Sequence, residues 1–223
     1  MARFARIDVV RTMCEGGLVP VFYHSDAGLA SRVVSACYEG GARTFEFTNR
    51  GEFAHEVFGL LRREVEARMP DLALGVGSVV DAATTSLYLQ LGADFVVSPI
   101  LNAEMARACN RRKVLWIPGC ATLTEISRGE ELGAEIVKIF PGAQVGGPDF
   151  VSAVKGPCPW TSIMPTAGVE PTEENLRPWF QAGVVCVGMG SKLITKEILE
   201  ASDFDRLRDR VAHTLELIRR IRG

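Results

Sequence analysis

The chain has 223 residues, 47% of them hydrophobic, with a formal net charge of −2 at pH 7, enough to bury the core of one large domain or two small ones. A near-balanced charge without a long basic or acidic block argues against a nucleic-acid groove and against attachment to an anionic membrane surface. No segment approaches the roughly 20 apolar residues of a membrane span. The start, Met1-Ala2-Arg3-Phe4-Ala5-Arg6, lacks the long apolar stretch of a signal peptide, so the expected location is cytoplasmic.

A helical segment over residues 8–15 precedes the first β-rich run, residues 18–23. The turn that follows, Tyr23-His24-Ser25-Asp26-Ala27-Gly28, is not a glycine-rich dinucleotide turn. Its His24, Ser25 and Asp26 are the residue types of a hydrolase triad, but adjacent side chains point in different directions and cannot relay a proton. Asp26 fits better as the N-cap of a helix over 28–39. A second run, 44–48, leads to a helix over 54–68 that ends before Pro70, and a third, 72–77, to a helix over 82–91 capped by Asp81. The fourth run is 95–98. Arg111-Arg112-Lys113 reads as a solvated turn before the fifth, 114–118, and Thr122 as the next helix cap. Runs at 136–140, 162–165 and 184–189 follow, then a last helix over 204–222.

The eight runs start 19 to 28 residues apart, room for one strand, one helix and two short loops. This is the rhythm of repeated βα units. Eight parallel strands with right-handed crossovers close into a (β/α)8 TIM barrel without exposed edges, and the extra N-terminal helix can close its floor. An open doubly wound sheet is the competing arrangement. No linker or composition break divides the chain, so residues 1–223 are expected to form a single domain.

Six cysteines, at 14, 37, 109, 120, 158 and 186, show no two-residue spacing, and three histidines, at 24, 55 and 213, form no metal-binding helix motif. Neither a metal nor a cofactor is expected. Trp116 and Trp160 read as packing residues or pocket walls.

The informative anomaly is Lys138, a charge inside Ile136-Val137-Lys138-Ile139-Phe140. The chain has five lysines against twenty arginines, and an amine can lose its proton where a guanidinium cannot. A lysine on a strand centre is either a snorkelling edge residue or a nucleophile of the Schiff-base type. Strand alternation puts Ile136, Lys138 and Phe140 on one face and, on the second strand, Thr44, Glu46 and Thr48 on one face with Phe45 and Phe47 opposite. Phenylalanines suit the helix layer, which turns Glu46 inward. Glu46 and Lys138 are then either a structural ion pair, costly to desolvate, or a catalytic pair of the kind that clusters at active sites.

Arg50 follows the second strand and offers a fork suited to a carboxylate. Gly75-Val76-Gly77-Ser78 ends the third, where glycines allow a ligand to approach closely and Ser78 offers a hydroxyl. Thr166, Ala167 and Gly168 follow the seventh strand; Gly188, Gly190 and Ser191 lie at the end of the eighth. Loops in these two places either bind phosphate through backbone N–H groups or are ordinary strand-to-helix turns. Lys192, next along, assists an anion or covers the helix surface.

Taken in order, Glu46-Phe47-Thr48-Asn49-Arg50, Gly75-Val76-Gly77-Ser78, Ser98-Pro99, Ile117-Pro118-Gly119, Lys138-Ile139-Phe140-Pro141 and Pro165-Thr166-Ala167-Gly168 resemble the bacterial 2-dehydro-3-deoxy-6-phosphogluconate aldolase family, whose members often also cleave 4-hydroxy-2-oxoglutarate. The resemblance runs from about Val19 to Ser191. It implies that Lys138 forms the Schiff base and Glu46 moves protons. It also implies that Arg50 and Ser78 hold a pyruvyl carboxylate, and that the loops at Gly168 and Gly190-Ser191 receive a phosphate. Pro99 and Phe140 would wall the pocket. The implied partners are a 2-keto sugar acid phosphate and pyruvate, and the implied assembly is a homotrimer. Three positions depart from the family pattern: Ser78 stands where many relatives have threonine, Ala167 where many have a second glycine, and Lys192 where an apolar residue is common. If position 167 needs a positive φ, alanine is unfavourable there. An aldolase for the galactonate-derived epimer, a phosphosugar isomerase or epimerase barrel, and a phosphate-ester-binding barrel without aldolase activity are the alternatives.

Overall fold

A computed structural model describes residues 2–223; Met1, part of the N-terminal stretch read above, lies outside them. The chain begins with α1 (Arg6–Gly16) and then alternates parallel strands with helices. The strands are β1 (Leu18–Phe22), β2 (Thr44–Thr48), β3 (Ala73–Gly77), β4 (Phe95–Val97), β5 (Leu115–Ile117), β6 (Gly119–Cys120), β7 (Val137–Ile139), β8 (Ile163–Pro165) and β9 (Val187–Met189). The helices between and after them are α2 (Ala27–Glu39), α3 (Ala54–Arg68), α4 (Ala82–Gln90), α5 (Ala103–Arg112), α6 (Leu123–Glu131), α7 (Gly147–Lys155), α8 (Glu173–Gln181), α9 (Lys196–Ala201) and α10 (Phe204–Arg222). Among the described residues no helix is long and apolar enough to cross a membrane.

The helix starts follow their caps. Asp26 accepts from Leu29 N, Asp81 from Thr84 N and Thr122 from Glu125 N, each satisfying a backbone donor that a helix start leaves free. The α3 helix ends at Arg68, ahead of Pro70, as the sequence predicts.

Hydrogen bonding divides the strands into a six-stranded sheet, β5-β4-β3-β2-β1-β9, and a three-stranded sheet, β6-β7-β8. The fifth β-rich run, 114–118, supplies only β5; its last residue, Pro118, has no N–H to give a ladder, and a second short strand, β6, follows beyond it. The Pro118 carbonyl still pairs, accepting from Lys138 N at 2.8 Å. On the other side a parallel bridge, Thr166 to Gly188, and a bond from Val185 N to Ile163 O at 3.0 Å join β8 to β9.

Alternation along the strands sorts side chains into two layers. Val19, Ala73, Phe95, Val97, Leu115, Ile117, Ile136, Met164 and Cys186 form one cluster, which α1 covers with Val9 and Met13. Phe45, Phe47, Leu74, Val76, Trp116, Val137 and Ile139 belong to the larger cluster shared with the surrounding helices. The inner face is therefore the one that also carries Thr44, Glu46 and Lys138. Beside it, Asp94 ties the N-terminal segment and α3 to the sheet: it accepts from Arg62 Nη1 at 2.8 Å, Arg3 N at 2.6 Å and Leu74 N at 3.0 Å.

Candidate active site

β2 and β7 carry the two charged residues of the inner face. Register fixes their height: Glu46 lies level with Val21 of β1 and Gly75 of β3, and Lys138 with Gly119 of β6 and Met164 of β8. The side chains meet with Lys138 Nζ 4.0 Å from Glu46 Oε1, at 6% and 1% exposure. That gap is longer than a direct hydrogen bond and suits a proton passed through an oxygen between them. Glu46 Oε2 is buried without a hydrogen-bond partner, which is unusual for a buried polar atom and points to a role other than holding the fold. Phe140, two residues beyond Lys138 on the same face, sets its ring centroid 5.0 Å from Nζ.

Glycines on β3 make room for this arrangement. What approaches them is the protein's own side chains: a Cβ on Gly75 would lie 2.3 Å from the Phe95 ring, and one on Gly77 only 1.8 Å from Glu46 Oε1. Gly77 is therefore a seat for the carboxyl, a role its sequence context did not announce.

Above the pair opens a cavity of about 560 Å³, whose lining includes Thr48, Arg50, Phe140, Thr166, Ala167, Gly168, Gly188, Gly190, Ser191 and Lys192. Thr48 and Phe140 stand one inner-face step beyond Glu46 and Lys138, so the pair lies just below the cavity lining. Most of the expected substrate-contact positions thus converge. Ser78 and Pro99 do not line this cavity; Ser78 follows β3 with φ +59°, and the Pro99 backbone packs where a Cβ on Gly119 would stand. Thr48, which strand alternation had placed inward without assigning a role, has a buried hydroxyl with no partner, as has Thr166.

The loops after β7 and β8 are pinned to each other. Gly142 N donates to Thr166 O at 2.8 Å and Ala143 N to Ala167 O at 3.1 Å. Ala167 takes φ +73°, the left-handed region in which a Cβ is strained. Gly168 also has positive φ, and a Cβ there would meet Ala143 at 2.3 Å. On the loop after β9, Lys192 Nζ pairs with Glu170 Oε1 at 2.8 Å.

Other reactive groups stand apart. Burial pushes the Cys109 and Cys120 thiols up to about 12 and raises those of Cys37 and Cys186 as well, so these thiols are poor nucleophiles at neutral pH. Trp116 is core and Trp160 is exposed; neither lines the cavity. A larger depression, about 1240 Å³, lies by α1 and the end of α5 among Phe4, Ile7, Val10 and Arg111. Its opposed charges, Arg6 and Glu135, are a partly exposed pair at 3.5 Å, with no buried amine and carboxyl facing each other. Among the described residues no three His, Cys, Asp or Glu side chains gather as a metal site.

The family model described as KDPG and KHG aldolase matches residues 9–210. A 2-dehydro-3-deoxy-phosphogluconate aldolase of Pseudoalteromonas atlantica is 33% identical over 193 residues, 86% of this chain and 87% of that protein. The KHG/KDPG aldolase of Escherichia coli K12 is 31% identical over the same shares of the two chains. Among solved structures, the KDPG aldolase of Legionella pneumophila, with pyruvate captured as a covalent carbinolamine, superposes with a TM-score of 0.82 at 25% identity, covering 91% of this chain and 96% of that one.

Proposed function

The chain belongs to the KDPG and KHG aldolase family, and on that premise we propose that it is a class I aldolase cleaving 2-dehydro-3-deoxy-6-phosphogluconate to pyruvate and glyceraldehyde 3-phosphate, with 4-hydroxy-2-oxoglutarate, cleaved to pyruvate and glyoxylate, as a second substrate. The frame of this reading is a (β/α)8 barrel, supported by the parallel ladders and the Thr166–Gly188 bridge. The observation that carries it is the buried approach of Lys138 to Glu46.

Unprotonated Lys138 attacks the C2 ketone of the substrate, forming a carbinolamine. Loss of water leaves an iminium, whose positive nitrogen is the electron sink. Glu46, directly or through an intervening oxygen, assists that dehydration and then removes the C4 hydroxyl proton. The C3–C4 bond breaks, its electron pair passes into the enamine, and the aldehyde departs. The enamine takes a proton at C3, and water hydrolyses the resulting iminium to pyruvate and free Lys138. Arg50, at the cavity wall, is the carboxylate clamp, with Ser78 in the supporting role the resemblance implies. Phe140 shields the amine from water. The strand-end loops at Gly168 and Gly190-Ser191 receive the phosphate.

Borohydride reduction in the presence of pyruvate tests this directly. Mass spectrometry should find one reduced pyruvyl adduct per chain, on the peptide containing Lys138. An unmodified wild-type chain, or an adduct on another lysine, overturns the mechanism. The implied homotrimer belongs to the same proposal and should scatter light as three chains of 24.3 kDa.

A further inference from the structure

The far end of the cavity carries charge that the mechanism above does not use. Lys192, after β9, and Glu170, after β8, form their 2.8 Å ion pair with side chains 62% and 42% exposed. The backbone beneath them is fixed. Arg210 Nη2 donates to Lys192 O at 2.8 Å, Glu170 N to Asn175 Oδ1 at 2.8 Å, and Thr172 N to Glu170 O at 2.9 Å. Freedom therefore resides in the two side chains, not in the loops. Of the two, Lys192 lines the cavity, together with Arg50, Phe140 and Ser191, and Glu170 does not.

Such an exposed pair is readily broken, since ion pairs in water contribute little. A phosphate monoester carries nearly two negative charges and three acceptor oxygens, against a single charge on Glu170, and an amine within reach of both favours the dianion. We propose that Lys192 is a specificity-determining residue whose amine exchanges Glu170 for the dianionic distal group of the substrate, favouring phosphorylated over shorter, carboxylate-ended 2-keto acids. Glu170 acts as the competitor that a weaker anion fails to displace. The substrate class rests on the aldolase reading; the anion exchange itself does not.

Glycerol 3-phosphate reads the far end without chemistry at Lys138. Measured calorimetrically on the full chain at fixed ionic strength, its dissociation constant should rise about tenfold or more in Lys192→Met, the loss of one charge-assisted hydrogen bond. It should fall in Glu170→Gln and stay within a few-fold of wild type in Lys192→Arg. In turnover, the ratio of specificity constants for the phosphorylated over the unphosphorylated substrate should drop by a similar factor in Lys192→Met, through KM rather than kcat. Binding that is absent from wild type, or unchanged in both Lys192→Met and Glu170→Gln, overturns the proposal. Lys192-dependent binding in a chain that forms no pyruvate adduct overturns the aldolase reading and supports the anion exchange.

Discussion

The carboxyl of Glu46 stands where the side chain of Gly77 would begin. A Cβ at residue 77 would come within 1.8 Å of Oε1 and 2.5 Å of Cδ, so the smallest possible enlargement of β3 must push aside the carboxyl proposed as the acid/base group. Displacement of a catalytic group by about an ångström costs about 100-fold in rate. Gly77→Ala should accordingly lose about that factor in kcat, with an overpacking cost of about 1–3 kcal/mol. Steady-state kinetics beside a thermal melt separates the two effects; full activity in the variant would show that Glu46 acts from another position.

On the proposed mechanism Glu46 and Lys138 divide the chemistry between them, and substitutions should divide it likewise. Glu46→Gln keeps the volume of the side chain but not its capacity to take a proton. It should still form the borohydride-reducible pyruvate adduct while turnover falls about 10²–10⁴-fold, the usual contribution of a positioned acid/base. Lys138→Met should form no adduct at all. Adduct yield by mass spectrometry, set against kcat for each variant, checks the division of labour.

Alternation explains why this pair was legible in the sequence. Phe45 and Phe47 enter the helix-side cluster, leaving Glu46 inward, and Ile136 joins the inner cluster on the same face as Lys138. Spacing alone thus oriented both residues. It did not show what β3 glycines admit, because the nearest atoms come from Phe95 and Glu46, neighbours only in space. The break between β5 and β6 at Pro118 was likewise hidden, since whether a proline interrupts a ladder depends on where its missing N–H would point. Glu170 was missed as the partner of Lys192 because two separate strand-end loops must be brought together before their side chains meet.

Ala167 is held at φ +73° by loops that bond on both sides of it, so the strain is built into the distal end of the site. A left-handed conformation costs an L-residue about 1–2 kcal/mol, and glycine is free of most of it, although glycine also makes the unfolded chain more disordered. Ala167→Gly should stabilise the fold by about 1 kcal/mol. The readout is a urea titration in which the midpoint rises and the slope does not change; a lower midpoint would mean that the alanine methyl contributes packing worth more than its strain.

Arg62 and Asp94 form a deeply buried ion pair, 2.8 Å apart at 7% and 0% side-chain exposure, and their energetics should show in the pH dependence of stability. Burial holds the Asp94 carboxyl above the usual carboxylate range even with the Arg62 guanidinium beside it. A carboxyl raised in the fold binds protons there more readily than in the unfolded chain, so the stability it confers grows as pH falls towards its unfolded value and is lost as pH rises through the folded one. Arg62→Met removes the compensating cation and drives that carboxyl further up. The variant should lose about 3–5 kcal/mol near neutral pH, the cost of stranding a buried charge, and less of it near pH 5, where the stranded group can be protonated. Denaturant unfolding of both proteins at the two pH values tests the sign. A deficit that stays constant, or grows on acidification, would mean that Arg62 stabilises through the packing of its side chain rather than through its charge.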